Sequence, residues 1–346
     1  MAVYSTIWSD DPAFNARVQV LDRRKLGVRG VARIIWQLTA DDVVIINGAL
    51  GADEWWRDIL IAAVARRGMP GLRIVLTDAT WEPRSTQAES RAGVLWWLSD
   101  RLNRRLVRGL ATEQTIVCFL SRSEARGFLS ATGLPPGRAV FTPFFVTVPD
   151  RSRPPVGVKV AGGSAKQPMQ PYVFTGGNTL RNWSMLTEAL GDCGVQVRVA
   201  TRHTERPWPE NFRVGPVPPG EFFDVAAGAT VGVICLHPDI GRSAGQQTYL
   251  NLLRLGVPVV VNDAPGVSDH LDGVPGAYIT PSDDASALRR QVLELVEKSS
   301  VGEVAQSVVE GQRFVEESMS EHCYLQRLAD LAESLRKSES PNETSG

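Results

Sequence analysis

Residues 230–273, TVGVICLHPDIGRSAGQQTYLNLLRLGVPVVVNDAPGVSDHLDG, hold one complete strand–helix–strand unit. The apolar run Thr230–Leu236 is bounded by polar residues and reads as a buried strand. Ser243-Ala244-Gly245-Gln246 has the spacing of a capping box, with Ser243 at the N-cap and Gln246 three positions on. The helix it would open runs to about Leu255 and stops at Gly256, with Pro258 just beyond. The run Val257–Val261 (VPVVV) is the next strand, and a sharp turn at Asp263–Gly266 follows. A strand, a helix and a second strand in this order argue a parallel sheet covered by helices.

The same order recurs on either side. Upstream lie the strand Tyr172–Thr175 (YVFT), the turn GGN, and a helix TLRNWSMLTEAL that ends at Gly191. Leu180, Trp183, Leu186 and Leu190 would be its buried stripe. Gln196–Ala200 (QVRVA) is a further strand. In the first half, Val43–Ile46 (VVII), Arg73–Leu76 (RIVL) and Thr115–Leu120 (TIVCFL) read as buried strands, with VYSTIW as a weaker first one. Asp53–Arg66 and Arg91–Leu110 read as the helices between them. Residues 149–171, PDRSRPPVGVKVAGGSAKQPMQP, lack periodicity and are rich in Pro, Gly, Lys and Arg, the mark of a linker.

The expected fold class is therefore α/β, with two Rossmann-like doubly wound domains facing a cleft. The first domain covers residues 1–150, the linker 151–171 and the second domain 172–320. A C-terminal helix over 321–336 is placed to pack back on the first domain, with Tyr324, Leu328, Leu331 and Leu335 as its stripe. Residues 337–346 read as a disordered tail. A length of 346 residues suits two cores better than one.

Composition excludes several classes. Lys and Arg number 37 against 38 Asp and Glu, so no global field marks a nucleic-acid binder. MAVYSTIWSDDPAF has neither the basic nor the apolar region of a signal peptide. No apolar run approaches the ~18–20 residues that span a bilayer. Cys118, Cys193, Cys235 and Cys323 form no C-x-x-C pair and read as free thiols, two of them inside strands, which fits a cytoplasmic protein. His203, His237, His270 and His322 are too scattered to suggest a metal site.

In doubly wound sheets ligands bind beyond the carboxyl ends of the strands, so the residues following each strand are the candidates. Gly176 and Gly177 permit a tight turn and close backbone approach. The next helix start favours an anion, and Arg181 lies where it could reach a phosphate. A plain strand–turn–helix with a solvated arginine would carry the same residues. The small-residue start Ser243–Gln246 suits a diphosphate, although side-chain capping competes for the same amides.

These residues resemble a known family. SAGQQTYLNLLRLGVPVVVNDAPGVSDHL is similar to the donor-binding segment of GT-B glycosyltransferases, in which a glycine turn starts a helix that ends in Gly-x-Pro-Val-Val. VFTGGNTLRNWSMLTEAL resembles the family's glycine turn with a basic residue entering the next helix, and FVTVPD resembles the end of its N-terminal domain. The ordered likeness spans roughly residues 115–290. It implies a sugar transferase that uses a nucleotide-diphosphate sugar as donor substrate, with no tightly bound cofactor and no metal.

By the same resemblance, Gly176, Gly177 and Arg181 would meet the donor diphosphate, and Arg202 would face the donor. Ser243, Ala244, Gly245, Gln246, Gln247 and Thr248 would contact the diphosphate and sugar. FRVGPVPPGEFFD resembles the loop that meets the nucleobase near Val217. The sequence departs from the retaining branches of the family at two positions. Where those carry glutamates in an E-x(7)-E pattern, Ser243 and Asn251 stand here. Asn251 can hydrogen-bond a ribose diol without charge. The closer likeness is to a GQ-containing branch.

A base for the acceptor hydroxyl would come from strand ends of the first domain. Asp78 ranks first, then Glu82, both following RIVLT, then Asp11 in SDDP. Helix capping is the structural alternative for each. On the helix Arg91–Leu110, Leu95, Leu98, Leu102 and Leu106 make an apolar stripe. Arg101, Arg104, Arg105 and Arg108 make a basic face near Trp96 and Trp97. That face suits either a solvated outer helix or peripheral contact with an anionic membrane. Trp55 and Trp56 suit a sugar-stacking pocket or the core. Nucleotide-sugar 2-epimerases and non-catalytic partner subunits share the architecture and remain alternatives. The expected partners are a nucleotide sugar and an acceptor, not nucleic acid.

Overall fold

The computed structural model describes residues 2–7, 9–21, 37–48, 55–78, 101–102, 105–148, 171–239 and 241–337, the side chains of 55–61 excepted. Expectations placed on Glu82, Arg104, Leu95, Leu98, Trp96, Trp97, linker residues 151–170 and tail residues 338–346 lie outside them, as do those on the side chains of Trp55 and Trp56. The chain forms two compact units. One comprises Met1–Pro143 and His322–Gly346, the other Phe144–Glu321. Phe144 and the residues up to 148 thus belong with the second unit, upstream of the expected boundary at 150.

The first unit contains β1 (Val3–Ser5), α1 (Pro12–Arg17), β2 (Gln19–Val20), β3 (Val43–Asn47), α2 (Trp55–Gly68), β4 (Arg73–Thr77), β5 (Thr115–Phe119), α3 (Arg122–Thr132) and β6 (Ala139–Phe141). Its strands form one parallel sheet in the order β2-β1-β3-β4-β5-β6. β4 and β5 are buried along their whole length, as expected of strands covered on both faces. Val44, Ile46, Ile74, Leu76, Val117 and Phe119 share one core with Phe128 of α3. Helical residues 105–110 bury Val107 and Leu110, whereas Leu102 is 58% exposed. The inward face is therefore rotated from the expected stripe. Arg101, Arg105 and Arg108 are exposed.

The second unit contains β7 (Tyr172–Gly176), α4 (Trp183–Leu190), β8 (Gln196–Ala200), β9 (Phe212–Gly215), α5 (Pro219–Ala227), β10 (Val231–Ile234), α6 (Gln246–Arg254), β11 (Val259–Asn262), α7 (Val267–Leu271), β12 (Ala277–Thr280), α8 (Ala285–Ser300) and α9 (Ala305–Ser318). Its parallel sheet has the order β12-β11-β10-β7-β8-β9. One core lies on each face. Phe174, Ile234, Tyr249 and Val261 belong to one, and Val173, Leu186, Val233 and Val260 to the other. The chain winds outward from β7 to β9, then returns to lay β10 against the other side of β7. The crevice beyond the carboxyl ends of β7 and β10 is the topological switch point, where open α/β sheets bind ligands.

The last helix, α10 (Glu321–Lys337), lies in the first unit apart from its first residue. It buries Tyr324, Leu325, Leu328, Ala329, Ala332 and Leu335, while Leu331 is half-buried. Arg17 of α1 donates to Gln326 Oε1 at 2.7 Å, Asp330 Oδ1 at 2.6 Å and Glu333 Oε1 at 2.8 Å. β2, β6, β9 and β12 were not distinguished in the sequence, because these short strands lack the long apolar runs of the central ones. No helix among the described residues is long and apolar enough to cross a membrane.

Candidate functional site

The switch point of the second sheet is built from two turns. After β7 the chain passes through Gly176 and Gly177 to Arg181, which forms an isolated bridge with Leu236 just beyond β10. The helix expected from Thr179 begins instead at Trp183. Leu180 sits at φ 59°, a left-handed conformation that interrupts a right-handed helix. Asn182 is the N-cap, and its side chain accepts from Met185 N at 3.1 Å. Arg181 is therefore not in a helical first turn, and it is not solvated. It is 9% exposed.

Its guanidinium folds back under the turn. Nε donates to Gly176 O at 2.9 Å, Nη1 to Thr179 O at 3.0 Å and Nη2 to Thr248 Oγ1 at 3.0 Å. Burial lowers its pKa to about 10, with Cys235 and Tyr249 beside it, so it stays charged at neutral pH. No carboxylate among the described residues pairs with it. A buried cation without a counter-charge is costly, and an anion placed nearby offsets that cost. Gly177 makes room for this arrangement. Its φ is 113°, and a Cβ there would lie 2.5 Å from Arg181 Nη2. The Gly177 amide donates to Ala200 O at 3.1 Å, so this residue supplies space to the site.

The second turn ends in α6. The expected capping box does not form. The helix starts at Gln246, and its N-cap is Gly245, at φ 84° with no side-chain cap. Ser243 lies two residues too early and is buried, 4% exposed. The N-cap of this nine-residue helix therefore offers no side chain to its first amides, and Thr248 N donates to Gly245 O at 2.9 Å. The side chain of Gln246, 6% exposed, leaves Nε2 without an acceptor. Asn262, at the end of β11, holds Leu236 from both sides: Leu236 N donates to its Oδ1 at 2.7 Å, and its Nδ2 donates to Leu236 O at 2.8 Å. Nothing in VVVN distinguishes this residue from an ordinary strand end.

The remaining donor candidates divide. Thr248 accepts from Arg181 and so belongs to the cluster. Ala244 is half-buried and packs on the core beside it. Arg202 follows β8 and is exposed, its amide donating to Asn178 Oδ1 at 2.8 Å. Val217 lies between β9 and α5, packed on the core. Asn251 and Gln247 face elsewhere. Thr147 N donates to Asn251 Oδ1 at 2.8 Å, and Asn251 Nδ2 donates to Thr147 Oγ1 at 2.8 Å. Gln247 Nε2 donates to the same hydroxyl at 3.0 Å. The amide expected to serve a diol is engaged by the protein itself.

In the first unit, Asp11 is the N-cap of α1. Its Oδ1 accepts from Phe14 N at 2.8 Å, and its Oδ2 lies 2.6 Å from His322 Nδ1. Partial burial raises its pKa, but the Phe14 amide and His322 outweigh this and hold it below the usual value. Asp78 follows β4 in a left-handed conformation, φ 50°, a strained state for a non-glycine residue. Tyr324 of α10 lies beside it, its phenol pushed up by burial and then by the Asp78 and Cys118 charges. Burial lifts the Cys118 and Cys235 thiols to about 12, which leaves both inert as nucleophiles. Among the described residues, no group of His, Cys, Asp and Glu is arranged to hold a metal ion.

No protein-family model matches the chain, and no curated protein matches it in sequence. Solved structures share its fold. A glycosyltransferase from Rickettsia africae aligns over 97% of this chain and 90% of its own, at 9% identity and a TM-score of 0.61. HepE from Anabaena, solved with UDP, aligns over 96% of this chain and 100% of its own, at 13% identity and the same TM-score. WaaG, a glycosyltransferase involved in lipopolysaccharide biosynthesis, aligns over 96% and 99%, at 11% identity and a TM-score of 0.54. The two-unit α/β architecture is that of the GT-B fold.

Proposed function

We propose that this chain is a glycosyltransferase that uses a nucleotide-diphosphate sugar, with the donor diphosphate resting at the switch point of the second unit. The observation that carries the reading is Arg181, a buried guanidinium with no carboxylate partner. It lies beside a helix whose start has no side-chain cap. Arg181 beneath the turn, the start of α6 and Gln246 Nε2 together give this corner positive and donor character, which is the electrostatic demand of a leaving diphosphate. The binding of UDP and UDP-glucose by HepE, a protein of the same fold, supports a nucleoside diphosphate as the bound group.

The acceptor is assigned to the first unit, with Asp78 as the base. Asp11, the other described candidate, caps α1 and has both its oxygens engaged. In the transfer, the acceptor hydroxyl gives its proton to the base and its oxygen bonds to the anomeric carbon. The bond from that carbon to the phosphate oxygen breaks, its electron pair leaving with the diphosphate. A second reading, a relative that binds donor without turnover, is favoured by the engagement of Asn251 with Thr147. Release of nucleoside diphosphate from a bound nucleotide sugar separates the two.

The test is a thermal-shift screen against UDP, GDP, ADP, CDP, dTDP and their sugar conjugates, because a ligand that binds the native state raises apparent stability. One nucleotide series should raise Tm, and Arg181→Ala should abolish the rise. No rise with any of them, in protein shown to be folded, would overturn the donor site.

A further inference from the structure

The donor site as described leaves its own charge out of reach. Arg181 uses three of its nitrogens on Gly176 O, Thr179 O and Thr248 Oγ1 and lies beneath the turn. A guanidinium held so completely organises the site and has little freedom to follow a ligand. The loop from β10 to α6 contains a second arginine. Arg242 lies three residues before the N-cap Gly245 and is half-buried. No hydrogen bond or ion pair holds it among the described residues. The loop that carries it is fixed at one end by Asn262, which grips Leu236, and at the other by the start of α6.

Resting on the donor site assigned above, we propose that Arg242 is the cation that contacts the diphosphate directly, and that Arg181 is a positioning residue. The two arginines divide the work by burial. Arg181 ties the glycine turn to Thr248 in the first turn of α6 and supplies a fixed positive potential. Arg242 has an unengaged planar fork, the geometry that suits bidentate contact with phosphate oxygens. The start of α6, whose N-cap Gly245 has no side chain, and the unpartnered Gln246 Nε2 complete the set of donors.

Inorganic pyrophosphate is the probe, because it needs no nucleobase, and the full-length chain is titrated by calorimetry. Arg242→Gln should weaken pyrophosphate about 10- to 100-fold, the range expected for hydrogen bonds to a charged group. Tm without ligand should not change. Arg181→Lys should lower the ligand-free Tm as well, because it loses the contacts to Gly176, Thr179 and Thr248 together. Phenylglyoxal labelling read by mass spectrometry gives an independent measure on the wild-type protein. Arg242 should be modified without ligand and protected by pyrophosphate, whereas Arg181 should resist modification in both states. Wild-type affinity in folded Arg242→Gln, or an Arg242 labelled equally with and without pyrophosphate, overturns the proposal while leaving the donor site intact. If wild-type protein binds neither pyrophosphate nor any nucleoside diphosphate, the donor site itself fails.

Discussion

Arg181 lies in a different setting from the one its position in the sequence suggests. An arginine shortly after a glycine turn reads as a solvent-facing phosphate ligand. Leu180, held at φ 59°, turns the chain before α4 can begin. That turn sends the guanidinium inward, against Gly176 O and Thr248. Gly177 is its necessary neighbour. Gly177→Ala would place a methyl group against the guanidinium and force an L side chain to adopt φ 113°. The variant should lose about 1–3 kcal/mol of stability, measured by urea denaturation, and should bind diphosphate more weakly because Arg181 must move. Asn262 and Arg242 carry no local signal in the sequence. A strand-end asparagine and a loop arginine are ordinary in composition, and their partners, or lack of them, are not local.

At the level of elements, α6 was expected in the right place with the wrong start. Ser243 and Gln246 satisfy the spacing of a capping box, yet capping also requires the chain to enter the helix directly after the serine. Gly245 adopts φ 84° and delays entry until Gln246, so the N-cap position has no side chain. One turn on, α6 changes role. Gln247 and Asn251, four apart and so on one face, both bond Thr147. Thr147→Val removes the hydroxyl that accepts from both and leaves the buried Asn251 amide short of a partner. It should destabilise the protein by about 1–3 kcal/mol, read as a lower urea midpoint. Thr147→Ser, which keeps the hydroxyl, should stay near wild type. An unchanged midpoint in the valine variant would show that the strut contributes nothing.

For the whole molecule, the first unit is closed by a helix from the far end of the chain. α10 buries six side chains there and supplies three partners to Arg17. A chain ending at Ser320 should therefore lose the cooperative unfolding of residues 1–143, seen as rapid tryptic cleavage within that segment. Resistance equal to the full chain would mean that α10 is dispensable. The sequence by itself determined the class, α/β, and the positions of the central strands. Burial on both faces demands apolar runs, and those runs are visible without knowing their neighbours. It also located the glycine turns and the α6 segment, where the proposed donor site lies. Tertiary structure alone decided that β10 lies against β7 and so brings Arg181 to Leu236 and Thr248. It likewise gave Asn251 to Thr147, 104 residues away. Strand order and such partnerships depend on where the chain returns in space, and a hydrophobic pattern read over a few residues sets the faces of an element without setting its neighbours.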